Sequence, residues 1–93
     1  MIDKQQIFHI SPEVFSQAID DEIILLDMKS EHYFGLNDVG AAVFKILTQG
    51  ATVEMLVHHL LEKYEVDQRQ LENDIIELLQ DLLSAGLILP KAP

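Results

Sequence analysis

The chain contains no cysteine, only six Lys and Arg, and no long apolar run. Without cysteine there is no disulfide framework, no thiolate nucleophile and no cysteine-based zinc site, so stability has to come from packing. No stretch approaches the ~18 apolar residues of a membrane span, and the N-terminus lacks a basic segment followed by an apolar one. A cytoplasmic protein with no membrane partner is the expectation. Against the few cations stand sixteen Asp and Glu, for a formal charge of −10. That balance repels nucleic-acid backbones and anionic lipid and favours cationic or neutral partners. The acids are spread through every segment and do not form one tail. What remains, 93 residues with 48% apolar content, suits one small domain with a modest core.

Residues 1 to 12 mix Ile7, Phe8 and Ile10 with polar groups up to the turn-type pair Ser11-Pro12, and are expected to be loosely held. Val14 to Ile19 alternates weakly, Asp20-Asp21 is turn-like, and EIILLDM (Glu22 to Met28) is an apolar run of strand length, so the two read as a hairpin. After the polar turn Lys29-Ser30-Glu31, His32 to Leu36 is a third strand. Asn37 then suits a helix N-cap, with Asp38 favourable beside the positive end of the helix dipole. A first helix carries Val39, Ala42, Val43, Ile46 and Leu47 on one stripe and stops at Gly50. Thr52 caps a second, with Leu56, Leu60 and Leu61, fading near Tyr64. A third and longest helix runs from about Gln68 to Ala85, ended by Gly86 and followed by an apolar LIL tail. The fold class is α+β: a three-stranded antiparallel sheet followed by three helices, βββααα, resembling a winged helix-turn-helix. The domain is placed at 13 to 89, with a tail at 90 to 93.

The third helix carries more apolar surface than a minimal core contact needs. Leu71, Ile75, Leu78 and Leu82 occupy one stripe at 100° per residue. Ile76, Leu79 and Leu83 form a second beside it, widening the apolar arc to roughly 160° where about 100° suffices for a core face. Either both stripes are core, or the second makes a homodimer, or it is the wall of a groove for a partner segment. Glu72, Asp74, Glu77 and Asp81 border the arc and suit a partner bearing Lys or Arg. The third strand offers the opposite wall: if it is the edge strand, its free amides and carbonyls can pair with an added peptide strand. HYFGL carries no proline and no inward charge to prevent this. Tyr33 and Gly35 point to one face and Phe34 and Leu36 to the other; which pair enters the core is left open by the sequence.

The patterns that carry catalysis are missing. His58 and Glu62 share a helix face, but two ligands are too few for zinc. Ser11, Ser16, Ser30 and Ser84 lie in no nucleophile-elbow context, and no glycine-rich phosphate loop or dinucleotide fingerprint occurs. No enzyme, cofactor or metal is expected. DNA binding is a weak rival, because the third helix offers only Arg69 against Glu65, Glu72, Asp74, Glu77 and Asp81. Gly40, costly in a first helical turn, points to a close approach between that helix and the sheet.

The run IILLDMKSEHYFGLNDVGAAVFKIL, with Gly50, Thr52, Leu56, Leu60, the Tyr64-x-Val66-Asp67 junction, Asp74 and the closing GLI, resembles the PqqD-like family of peptide-binding proteins. The likeness covers residues 22 to 88 and rests on L-L-D, Y-F-x-L-N-x-x-G-A and the terminal G-L. These proteins are recognition elements for ribosomally made, post-translationally modified peptides. The resemblance implies a winged-helix-like domain that takes the leader of a precursor peptide as an added strand beside the third strand, against the third helix, and presents it to a processing enzyme. Carried over by position, the site is His32, Tyr33, Phe34, Gly35 and Leu36 on the strand and Asp74, Ile75, Leu78, Leu79 and Leu82 on the helix. The stripe argument adds Ile76 and Leu83. The Y-F-G-L-N-D-V-G version is similar to leader-binding proteins of lasso-peptide clusters, which implies a leader-cleaving cysteine protease as partner and, less directly, a cyclase; other relatives assist a radical enzyme. A monomer or weak homodimer is expected. The alternative from another class is an acidic winged-helix interaction or homodimerisation module with no peptide client.

Overall fold

Two polar turns fold the first half of the chain back on itself. In the computed structural model, which describes residues 2–91, the elements are β1 (Phe8–Ile10), β2 (Val14–Ile19), β3 (Glu22–Asp27), β4 (Tyr33–Leu36), α1 (Asp38–Leu47), α2 (Val53–Lys63), α3 (Gln68–Ser84) and β5 (Ile88–Pro90). β2, β3 and β4 form an antiparallel meander in that spatial order. Its register sets Phe15 opposite Leu26 and Leu26 opposite Tyr33. The first turn is made by Asp20, in the left-handed region at φ 55°, and Asp21. In the second, the Asp27 carboxylate accepts from Lys29 N at 3.0 Å and Ser30 Oγ at 2.8 Å, and Glu31 takes φ 62°.

Side-chain caps set where the first two helices begin. Asn37 Oδ1 accepts from Gly40 N at 2.9 Å, and Thr52 Oγ1 from Met55 N at 3.1 Å. Each satisfies an amide that the helix itself cannot, worth about 1 kcal/mol. Asp67 precedes α3 without such a bond. A Cβ on Gly40 would lie 3.2 Å from Leu36 Cδ2 and 3.3 Å from its Cβ. The missing side chain therefore lets α1 start directly under β4, as the position of this glycine suggested.

The core lies between one face of the meander and the three helices. Ile23, Leu25 and Leu36 from the sheet meet Val43, Phe44 and Leu47 of α1, Leu56 and Leu60 of α2, and Leu71, Ile75, Leu79 and Leu82 of α3. Burying a side chain of this size contributes about 1.5–3 kcal/mol. No helix among the described residues is long and apolar enough to cross a membrane.

A second, two-stranded sheet was not expected. β1 pairs antiparallel with β5, Phe8 opposite Pro90 and Ile10 opposite Ile88. Phe8 is buried, and its N–H and C=O exchange bonds with Ala51 at 2.9 and 3.0 Å. Within the segment expected to be loose, residues 8 to 10 are therefore a strand, anchored further by Ser11 N donating to Leu87 O at 3.0 Å. Three residues are too few to show an alternation, and their partner lies at the far end of the chain. Met1, Ala92 and Pro93, the last two belonging to the expected tail, lie outside the described residues.

Candidate functional site: a groove between the edge strand and the third helix

β4 pairs only with β3, so among the described residues its other edge is free. Which backbone groups that edge offers follows from the ladder. Asp27 N donates to His32 O at 3.0 Å, which makes that a hydrogen-bonded pair. Antiparallel alternation then turns the N–H and C=O of Phe34 and Leu36 toward β3 and those of Tyr33 and Gly35 toward the free edge. The side chains divide as the sequence allowed: Leu36 is buried and Phe34 half-buried on the core face, while Tyr33 is 74% exposed on the opposite face with Gly35.

Beside that edge runs an open groove of about 630 Å³, lined by Glu22, Phe34, Gly35, Leu36, Asn37, Val39, Gly40, Asp74 and Leu78. α3 gives it one apolar side chain, the half-buried Leu78, and one charge, the exposed Asp74. Asp74 Oδ1 accepts from Gln70 Nε2 at 2.8 Å, one turn earlier. Glu22 and Asp74 are the only charged residues of the lining, so its field favours a neutral or cationic occupant.

The site residues read from the sequence separate into three sets. Phe34, Gly35, Leu36, Asp74 and Leu78 are brought together at the groove. Ile75, Leu79 and Leu82 are fully buried beneath it. His32 and Tyr33 belong to the same strand segment but not to the lining, and both are exposed. Ile76 and Leu83 lie on the other flank of α3, roughly 140–160° around the helix from Leu78 at 100° per residue; they are half-buried there against the core.

This corrects the two stripes. Spacing put Leu78 in the core and Leu79 outside it; the structure reverses them, with Leu79 0% exposed and Leu78 at the groove. The two choices give stripes of comparable width, about 60° with Leu78 and about 80° with Leu79 at 100° per residue, because the two residues flank the shared positions Leu71, Ile75 and Leu82. Only the direction from which the sheet approaches α3 distinguishes them. A second free stripe, the basis of the homodimer alternative, does not exist as a continuous surface. Glu22, Asn37, Val39 and Gly40 were missed as lining residues. The Asn37 cap was the available signal, since a helix that begins at the end of an edge strand sets its first turn against that strand's groove.

Two side-chain pairs behave locally. His58 Nε2 lies 3.0 Å from Glu62 Oε1 on an exposed face of α2, the pairing its spacing implied. Among the described residues no group of three or more His, Asp or Glu is placed to hold a metal. At the start of the edge strand, the Ser30 hydroxyl and then the Lys29 amide hold the Asp27 carboxyl below its ordinary value.

Comparisons with known proteins bear on the same region. The family model described as coenzyme PQQ synthesis protein D (PqqD) matches residues 22–88, from the start of β3 into β5. Among solved structures, TbiB1 in complex with the TbiA(beta) leader peptide is 34% identical, with a TM-score of 0.83 over 91% of this chain and 99% of that one. A lasso peptide synthetase B1 complexed with the leader peptide is 32% identical, with a TM-score of 0.79 over 89% and 98%. No curated protein matches the chain.

Proposed function

Because the chain belongs to the PqqD family, we propose that it is a non-catalytic adaptor that binds the leader of a ribosomally made precursor peptide and presents it to a modifying enzyme, in lasso-peptide biosynthesis. The observation that carries this reading is the free edge of β4 opening onto the Leu78 groove, in a chain similar to two proteins whose structures hold a leader peptide. The leader adds as a strand: its backbone pairs with the N–H and C=O groups of Tyr33 and Gly35, and alternate side chains enter the groove against Phe34 and Leu78. Main-chain bonds of this kind contribute about 0.5–1.5 kcal/mol each in net terms, so affinity needs the apolar contacts as well. Those contacts also select the sequence, since main-chain pairing is blind to it.

Bond breaking falls to the partner, a leader-cleaving cysteine protease, a cyclase or a radical enzyme. The acidic groove supports a leader with Lys or Arg near Glu22 or Asp74, which would speed association more than it tightens binding.

Titration with the leader encoded beside this gene, with the TbiA(beta) leader for comparison, tests the reading. Leu78→Glu is expected to weaken binding about tenfold or more, because it buries a charge on binding, while leaving the helical signal and melting temperature near wild type. Leu79→Ala should instead cost about 2–5 kcal/mol of stability in urea denaturation. A folded wild type that does not bind its leader ends the adaptor reading; unchanged affinity in Leu78→Glu moves the leader elsewhere.

A further inference from the structure

α3 has two flanks, and the leader groove uses one. On the other, Gln68 and Glu72 line a cleft of about 430 Å³ together with α2. Glu72 lies roughly 120° around α3 from Leu78 at 100° per residue, and the cleft shares no residue with the groove. Helical spacing builds the α2 wall: Val53, Val57 and Leu61 recur at every fourth position, so their side chains stack along one line and form an apolar floor. Val53 and Val57 are buried and Leu61 is half-buried, while Glu54 and His58 stand exposed at the rim.

One cation already sits in this cleft, and it comes from outside both helices. Lys4, in the segment before β1, lines the cleft, and its Nζ pairs with Glu72 Oε1. The Lys4 side chain is 54% exposed against 25% for Glu72. A cation with about half its surface in water is weakly held, and the carboxylate it covers is the more enclosed partner. Glu54 has no ion-pair partner among the described residues, and the His58 imidazole is engaged with Glu62. With Lys4 displaced and His58 neutral, the charged lining is Glu54 and Glu72.

Lys4 shows the chemistry that the cleft accepts, and Arg suits it better. The aliphatic stem of an Arg can lie on Val57 and Leu61 while its guanidinium stays at the rim. Gln68 and Glu72 are neighbours one turn apart on α3. A planar fork of five N–H groups can donate to the Glu72 carboxylate and the Gln68 side-chain oxygen together, which a single ammonium does less well. We infer that the cleft between α2 and α3 is a second docking site, taking an arginine-bearing segment of a partner protein in exchange for Lys4. The site goes beyond the adaptor function and does not depend on it. A leader in the groove and a partner in the cleft grip opposite flanks of one helix, so the two bind without competing. A second copy of the chain is a poor occupant: its one arginine, Arg69, adjoins the cleft's own Gln68, and two net charges of −10 repel.

The test titrates the peptide acetyl-Leu-Arg-Leu-amide into the full isotope-labelled chain and follows backbone amide shifts by NMR. The same peptide with citrulline, which keeps the shape of Arg without its charge, is the control. Saturable shifts at Val57, Leu61, Gln68 and Glu72 are expected, with about tenfold weaker binding of the citrulline peptide. Glu72→Gln should weaken the Arg peptide by a similar factor, and Glu54→Gln by less. Lys4→Ala should tighten it about twofold or more, because the site no longer has to be vacated. These three side chains lie outside the core, so amide spectra away from the cleft should match wild type. Saturating the groove with leader should leave the peptide affinity unchanged.

Equal binding of the Arg and citrulline peptides overturns the inference, as do shifts that fail to saturate or spread over the acidic surface. Shifts centred on Phe34, Asp74 and Leu78 assign the peptide to the leader groove instead. Wild-type affinity in both Glu72→Gln and Lys4→Ala overturns it as well. A chain that binds no leader still gives the result with the Arg peptide, so the adaptor function and the second site fail separately.

Discussion

Asp27 ends β3 and holds the turn that launches the edge strand. Its carboxylate accepts from Ser30 Oγ and Lys29 N, and these bonds lower its pKa from the ordinary value of 3.8. A carboxyl with a depressed folded pKa adds stability that is present above the unfolded value and is lost as pH falls through the folded one. Ser30→Ala is therefore expected to melt earlier than wild type at neutral pH, with the difference closing once the pH drops below 3.8. Thermal melts across that range check it, and a difference undiminished in acid would assign the effect of Ser30 to something other than Asp27. At this scale the sequence was legible wherever chemistry is local. Asn37 and Thr52 cap the helices that their side chains suggested. Leu78 and Leu79 were exchanged because neighbouring leucines of one helix differ only in what lies opposite them.

The strand β4 and the helix α3 make the groove, and each was legible to a different degree. Hairpin spacing and turn residues located β4 to within a residue of its observed start, and the absence of protecting charge or proline marked it as open to pairing. Gly35 provides a test of that edge. Its amide faces away from β3, and a Cβ there would meet nothing within 4 Å, so Gly35→Pro removes a donor from the free edge without breaking the β3 ladder. Leader affinity should fall roughly fivefold or more, the worth of about 1 kcal/mol for one net hydrogen bond plus the obstruction by the ring. The fold should persist, as read from an unchanged far-UV spectrum. Undiminished affinity would mean that the leader does not pair along this edge. In α3 the periodicity gave the length of the helix and most of its buried face. It did not say which flank of that face borders the strand.

Across the whole molecule, the first and last strands close over the end of the core. β1 and β5 pair, and Phe8 fills a buried site while bonding to Ala51. Phe8→Ala is expected to cost about 3–5 kcal/mol, the range for truncating a buried aromatic, as a shift of the urea midpoint; a residue in a loose segment would shift it by a few tenths at most. The sequence by itself determined the class of this protein: α+β, a three-stranded meander before three helices, acidic, with caps and turns at defined positions and an unprotected strand. These are properties of neighbours along the chain, fixed by alternation, helical period and local hydrogen bonding. Only the tertiary structure decided that Leu79 is core and Leu78 lines the groove, that Tyr33 and Gly35 face outward, and that residues 8 to 10 are a strand. Each of these depends on a surface contributed from elsewhere in the chain, and periodicity within one segment carries no information about what packs against it.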